Sequence, residues 1–310
     1  MDDLIDTMNT ALAQFSSGQV EQPLRTVVVI GGKSFYGVMP AFIQQPAALG
    51  SKLVTVYASN AERGLPTHLA TILLFDPETG ELLAVLDGRY ITEARTAAVS
   101  AVSAKHLARA DARVLAVIGS GVQARSHIEA LIRVRRFEEI RVWGPTAPKV
   151  FSLIEEMLPR VETKLAAVES VRDAVRDAEI VALVTAAREP VVKRQWIAPG
   201  THICAVGACR PDQREMDTPL VRDARVFVDS RTGALAEAGD LVIPIKEGVI
   251  SSSHIVGELG EVTGGRIQGR QTAEEITIFK SLGMAVEDVA AARLAWERAS
   301  ERGIGRGFVL

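Results

Sequence analysis

Near the middle of the chain a short apolar strand runs into a glycine-rich turn that opens a helix. RVLAVI (113–118) reads as a buried strand, Gly119-Ser120-Gly121-Val122-Gln123-Ala124 follows it, and VQARSHIEALIRV (122–134) reads as a helix. In this G-x-G-x-x-A pattern each small residue has a mechanical reason. The first glycine permits a tight turn, the second lets backbone approach a pyrophosphate, and the alanine lets the helix pack on the strand. The helix N-terminus then offers free N–H groups and a positive dipole end to phosphate. The competing reading is a tight turn of structural value only. Its surroundings decide against that: EIRVWG, KLAAV, EIVALVT, THICAVGA and ARVFVDS continue as strands to about Ser230, with helical stretches between them. Alternation of this kind predicts a parallel, doubly wound Rossmann-like sheet.

The chain before this region has a different texture. Leu4, Ile5, Met8, Leu12 and Phe15 have helical spacing over residues 2–15. RTVVVI (25–30), KLVTVY (52–57), LATILLF (69–75) and ELLAVLD (81–87) read as strands, with Gly31-Gly32 and Asp76-Pro77-Glu78-Thr79-Gly80 as turns. The gaps leave no room for crossover helices, which predicts a largely antiparallel sheet. ITEARTAAVSAVSAKHLA (91–108) reads as a helix whose small residues allow close approach, and Asp111-Ala112 as a junction. RTGALAEAGD reads as a helix running into a turn. TIFKSLGMAVEDVAAARLAWERA supplies a strand-like start, a break at Gly283 and a long helix to about residue 301. With no strand to alternate with, this tail is expected to pack on the N-terminal part. The expected division is residues 1–111 with 281–310 as an α+β substrate-binding and dimerisation domain, and 112–280 as the α/β dinucleotide domain.

Charge and composition narrow the function. A net charge of −3 and 5% aromatic residues oppose a nucleic-acid binder, which needs basic excess or stacking platforms. Cys204 and Cys209 are too few for a disulfide framework or a four-ligand zinc site, so no metal is expected. The N-terminal segment carries acids where a secretory signal carries lysine and arginine, and no stretch reaches 18 apolar residues. A cytoplasmic protein without membrane partner is the expectation. After the strand EIRVWG, no Asp or Glu stands where an NAD-selective site binds ribose hydroxyls. Thr146 and Lys149 are the residues there able to meet a 2′-phosphate. The cofactor is therefore NAD or NADP.

Several blocks in order carry a resemblance: QPLRTVV (22–28), YGVMPAF (36–42), SKLVTVY (51–57), LDGRYITEARTAAVSAVSAKHLA (86–108), VIGSGVQARSH (117–127), VGACRPDQREMD (206–217), EAGDL (237–241) and TIFKSLGMAVED (277–288). The chain resembles the ornithine cyclodeaminase/mu-crystallin family over nearly its whole length, and most of all its ketimine-reductase branch. The resemblance implies a homodimer acting on a small amino or imino acid, with hydride transfer between a nicotinamide and its Cα. Reduction of pyrroline- or piperideine-2-carboxylate is the leading expectation. Ornithine cyclodeamination, alanine dehydrogenation and ligand binding without turnover are the alternatives.

Residue by residue, the match implies a substrate-carboxylate clamp of Arg25, Lys52 and Arg95, and Asp240 as the proton-handling acid. An arginine suits that anion because it holds it with two parallel bonds. Without the resemblance, each basic residue would read as a surface charge and Asp240 as a turn residue. Glu215 and Asp217 read as structural polar residues or a helix cap. Two departures stand out. Gly144-Pro145-Thr146 replaces the Asn-Arg-Thr of many members, removing the arginine that grips a 2′-phosphate. Cys209 replaces serine, as a thiol touching nicotinamide or substrate, or as a small buried cysteine. His68 reads as a proton relay or a hydrogen-bonded strand histidine.

Overall fold

The computed structural model describes residues 1–307. In chain order the elements are α1 (Asp2–Ser16), β1 (Val20–Glu21), β2 (Thr26–Ile30), β3 (Ser34–Ile43), β4 (Ala48–Val56), β5 (His68–Phe75), β6 (Leu82–Asp87) and α2 (Gly88–Leu107). Then follow β7 (Val114–Ile118), α3 (Val122–Leu131), β8 (Glu139–Trp143), α4 (Ala147–Met157), β9 (Lys164–Ala167), α5 (Val171–Val175), β10 (Ile180–Leu183) and β11 (His202–Ala205). The last are α6 (Thr218–Asp223), β12 (Arg225–Val228), α7 (Arg231–Glu237), α8 (Gly239–Lys246), β13 (Ile255–Glu258), α9 (Leu259–Thr263), β14 (Thr277–Lys280) and α10 (Ala285–Glu301). Among the described residues no helix is long and apolar enough to cross a membrane.

Strands β1 to β6 form one sheet in which every pairing is antiparallel. The hairpin expected across residues 76–80 joins β5 and β6. Sequence reading passed over β3, whose interior holds Pro40. That proline is tolerated because β2 pairs only with residues 34–38 of β3 and β1 only with residues 42–43, so the side of β3 near Pro40 has no neighbour to supply. The inner face carries Met39, Ala41 and Ile43 of β3 and Ile72 and Leu74 of β5, all buried. It packs against α1, α2 and α10.

The second sheet is wholly parallel, in the order β13-β12-β14-β11-β10-β7-β8-β9. The chain leaves β7 toward β8 and β9 on one side and returns to β10 and β11 on the other. The switch point, where α/β sheets bind ligands, therefore lies between β7 and β10. Two details differ from the sequence reading. The tail does alternate with a strand: β14 inserts between β11 and β12, in the middle of the sheet. Its residues Thr277–Lys280 are buried on both faces, as in a central parallel strand, with Ile278 and Phe279 supplying the apolar part. Only after Gly283 does the chain cross to the antiparallel sheet. Residues 231–246 also form two successive helices, α7 and α8, and Asp240 lies in the first turn of α8 instead of in a turn.

Between the sheets runs α2. It is buried almost from Ala94 to Leu107, and Ala97, Ala98, Ala101 and Ala104 have no exposed surface. Small side chains let α1, α3, α10, β5 and β11 all approach this one helix. Asp87 starts it by accepting the Arg89 amide.

Candidate active site

The glycine-rich turn lies at the switch point. Gly119 has φ +133, a backbone conformation that L side chains rarely adopt, and a Cβ there would meet the Val184 carbonyl oxygen just beyond β10 at 2.7 Å. The Gly121 site is the opposite case, because a Cβ there would point into open space. This glycine is not demanded by the fold; its bareness leaves room above the turn. Gly121 is the N-cap of α3 and no side chain caps that helix; the Ala124 amide donates to the Gly121 carbonyl at 3.0 Å, which leaves the Val122 and Gln123 amides to face the open space. A Cβ on Gly144 would stand 2.7 Å from Ser120 Oγ, so the turn packs closely on the end of β8. Val122 is exposed, Gln123 is half-buried with Oε1 lacking a partner, and Ala124 is fully buried against the sheet. Thr146 and Lys149 are exposed at the start of α4, and the Thr146 side chain makes no capping bond.

Three cations meet across the gap between the sheets. Lys52, from the inner face of β4, is 3% exposed and Arg95, from α2, is 4% exposed. Both are held by α10. Arg95 Nε donates to Asp288 Oδ1 at 2.8 Å and Arg95 Nη1 to Glu287 Oε2 at 2.6 Å. The Lys52 ammonium pairs with Asp288 Oδ2. One carboxylate thus bridges both cations. Burial pulls the Lys52 pKa down to about 8 against the pull of Asp288. Burial acts the same way on Arg95, yet Asp288 and Glu287 hold it above its usual value. Desolvation pushes Glu287 up to about 7, whereas Arg95 and Lys52 keep Asp288 below the usual range despite burial.

Arg25, just before β2, reaches the same place and grips the segment between β14 and α10. Its Nη2 donates to the carbonyls of Leu282 and Gly283, both at 3.1 Å, and its Nε pairs with Glu237. Asp229, at the end of β12, takes the amides of the same two residues at 2.5 and 2.8 Å. Gly283 has φ +79, and a Cβ there would lie 2.6 Å from the Arg95 guanidinium. The Leu282–Gly283 segment is therefore fixed on both edges and forms a wall against Arg95.

Asp240 sits apart from this group. It has no exposed surface, its Oδ1 accepts the amides of Glu215 and Met216, and its Oδ2 pairs with Lys280 at 3.0 Å. Lys280 has no exposed surface either, and Asp240 keeps its pKa high against burial. Gly239 abuts the backbone of Gln213 and Arg210 so closely that no side chain fits. The Asp240 carboxylate is thus enclosed, with backbone amides on one oxygen and the Lys280 ammonium on the other. Cys209 lies between the two groups, raised in pKa first by burial and sensitive to both Lys280 and Arg25; its Sγ donates to the Val206 carbonyl at 3.2 Å. Glu215 accepts from Thr185, Gly207 and Ala208, and Asp217 caps α6, both structural tasks. His68 is exposed at the start of β5, on the face that carries Lys52, and desolvation and the Lys52 charge lower its pKa. Among the described residues no cluster of three or more His, Cys, Asp or Glu side chains is arranged to hold a metal.

Sequence reading missed Glu287, Asp288, Lys280 and Asp229. A signal existed for the first two: adjacent acids inside AVEDVAAA, on a stretch otherwise apolar, demand buried cationic partners. All these groups, Cys209 and the glycine turn included, lie at or beyond the C-terminal ends of parallel strands, the edge at which such sheets take ligands.

A family model described as the ornithine cyclodeaminase/mu-crystallin family matches residues 1–303. The ketimine reductase mu-crystallin of Mus musculus is 44% identical over 298 residues, covering 95% of this chain and 91% of that protein. A solved structure of Thermococcus litoralis Δ1-pyrroline-2-carboxylate reductase, in complex with NADH and L-proline, superposes with a TM-score of 0.97 at 41% identity, covering 99% of this chain and 96% of that one. An archaeal alanine dehydrogenase dimer with bound NAD gives 0.95 at 32% identity, covering 100% and 95%.

Proposed function

The chain belongs to the ornithine cyclodeaminase/mu-crystallin family, and from that membership we propose that it is an NAD(P)H-dependent reductase of small cyclic imino acids, pyrroline- or piperideine-2-carboxylate. The observation that carries this reading is the pair of buried cations, Lys52 and Arg95, bridged by Asp288 beside the C-terminal edge of a dinucleotide-type sheet. A preorganised double cation is what a compact carboxylate substrate needs. It orients the anion before any reaction and loses little freedom on binding.

The residues present fit a nicotinamide dinucleotide. The open space at Gly121 and the uncapped start of α3 suit a pyrophosphate. Residues 119–124 hold it in this reading, Thr146 stands at its ribose, and neither an acid nor an arginine at residues 144–146 selects between NAD and NADP. When bound, the cofactor supplies the hydride. The chain's part is positional and electrostatic. Arg95 and Lys52 take the carboxylate, Arg25 and Asp229 keep the Leu282–Gly283 wall in place, and Cys209 presents a neutral thiol toward the space between them. Asp240 acts through Lys280, which it holds charged beneath Cys209. A homodimer through the outer face of the antiparallel sheet and a reducing, cytoplasmic setting, which suits two free thiols, complete the proposal.

The test is NADH and NADPH oxidation with pyrroline-2-carboxylate, piperideine-2-carboxylate, and pyruvate plus ammonia, alongside ammonia release from ornithine. Turnover of a cyclic imine with stoichiometric cofactor oxidation is expected. Ammonia from ornithine without net oxidation would make the chain a cyclodeaminase. Cofactor binding with no turnover of any substrate would make it a binding protein.

A further inference from the structure

The buried cluster has an imbalance of charge. Apart from the Arg25–Glu237 pair, two cations, Lys52 and Arg95, face three carboxylates, Glu287, Asp288 and Asp229. Asp288 has a cation on each oxygen, and Asp229 accepts the Ser230, Leu282 and Gly283 amides. Glu287 is held less well. Its Oε2 takes Arg95 and the Met284 amide lies close enough to pull its pKa down slightly, while its Oε1 is buried without a well-aligned hydrogen-bond partner. No other charge reaches it from the elements packed on α10. The β3 strand carries no ionisable group but Tyr36, His68 of β5 lies beyond Lys52, and Asp3 of α1 pairs with Arg298 at the far end of α10. A substrate carboxylate entering here would be a fourth anion against two cations. It would also compete with Glu287 for the Arg95 guanidinium, at a depth where uncompensated charge is costly.

We propose that Glu287 takes up one proton from solvent when a substrate carboxylate binds to Arg95 and Lys52, so that the cluster exchanges one anion for another. Glu287 is then a positioning residue that acts through Arg95. Its protonation frees Nη1 for the incoming carboxylate, and the free Oε1 is the atom that receives the proton. A pKa already near 7 places the event in the physiological range. The proposal rests on the clamp reading above, and the experiment separates the two.

The probe is pyrrole-2-carboxylate, whose ring nitrogen is not basic, titrated into the NADH-saturated enzyme by calorimetry in buffers of differing ionisation enthalpy. Uptake of most of one proton per ligand is expected at pH 7.5, falling toward zero at pH 6. Above pH 7 the Kd should rise about tenfold per pH unit, the slope of a one-proton linkage. Glu287→Gln, which mimics the protonated side chain, should bind without uptake at pH 7.5 and with a flat Kd from pH 6 to 7.5, below the range in which Lys52 titrates. Its KM for the imine should likewise stop rising with pH while kcat keeps its own pH dependence. Wild-type binding without uptake at pH 7.5 overturns the proposal and needs no variant. Uptake that persists in Glu287→Gln and vanishes in Lys52→Met also overturns it, by assigning the proton to Lys52. If Arg95→Leu leaves the Kd for pyrrole-2-carboxylate unchanged, the clamp itself is wrong.

Discussion

Two side-chain positions carry opposite messages about what a residue is for. Gly121 is bare although the fold leaves room for a side chain, and the space above it is open to a ligand. Gly121→Val should fold and melt like wild type yet lose NADH binding, read as loss of fluorescence enhancement of the bound cofactor. Undiminished binding by the folded variant would refute the pyrophosphate assignment. Asp240 is the reverse, a residue that sequence marks for chemistry and structure surrounds with structural duties. Replacing it with Asn keeps both amide bonds but leaves the fully buried Lys280 ammonium without its counterion. Breaking a buried pair in this way costs about 3–5 kcal/mol. Asp240→Asn should therefore show its main defect in chemical denaturation, with any loss of kcat following from the misplaced Lys280 and Cys209. If the variant keeps wild-type stability and loses kcat a hundredfold, the direct acid role is restored.

At the scale of elements, what was legible in the sequence depended on whether the cause was local. The glycine turn, the hairpin across residues 76–80 and the alternation from β7 to β12 are set by neighbours in the chain, and the structure has them. The place of β14 between β11 and β12 is set by which strand fills a gap left by distant ones. The ion pairs of Glu287 and Asp288 with Arg95 and Lys52 likewise join residues more than 190 positions apart. Burial of α2 was foreshadowed by its alanines, but the two histidines lodged against it were not. His127 Nδ1 donates to the Gln123 carbonyl and Nε2 accepts from Ser100 of α2; His202 spans Ser103 of α2 and Thr277 of β14. Burial lowers the first to about 4 and the second to about 3. Unfolded, each takes a proton near pH 6.5. Between that pH and the folded value the unfolded chain binds more protons, so this share of stability is intact above about pH 6.5 and lost as pH falls. From pH 7.5 to 5 each histidine should cost about 2 kcal/mol, at roughly 1.4 kcal/mol per pH unit below 6.5. Glu287, shifted upward, works the other way, so the clean measurement is a difference. Urea unfolding of His202→Gln should lose about 2 kcal/mol less over that interval than wild type. Equal losses would mean that His202 is protonated in the folded protein.

For the whole molecule, the antiparallel sheet presents a problem of surface. One face is covered by α1, α2 and α10, while the other carries cross-strand rows that no element among the described residues covers: Val28, Tyr36, Thr55 and Leu69 in one, and Pro40, Ser51, Leu73 and Val85 in another. Val28, Leu69 and Val85 are 53%, 45% and 48% exposed, and β2 is exposed along its whole length. An antiparallel sheet facing water normally alternates apolar with polar residues, and an apolar face of this breadth marks an interface. A second copy is the partner proposed above, and self-association through one patch would give a two-fold dimer. The same β4 strand turns Lys52 inward and Leu53 and Thr55 outward, so covering the outer face also steadies the strand that carries half of the cation pair. Leu69→Arg with Val85→Arg puts two desolvated charges into that face from each subunit. Sedimentation velocity should find the wild type as a dimer and the double variant as a folded monomer. The monomer should bind NADH as before, because the glycine turn belongs to the other sheet, while its KM for the imine rises. A wild-type monomer, or a dimer indifferent to both arginines, would place the interface elsewhere and leave the exposed face unexplained.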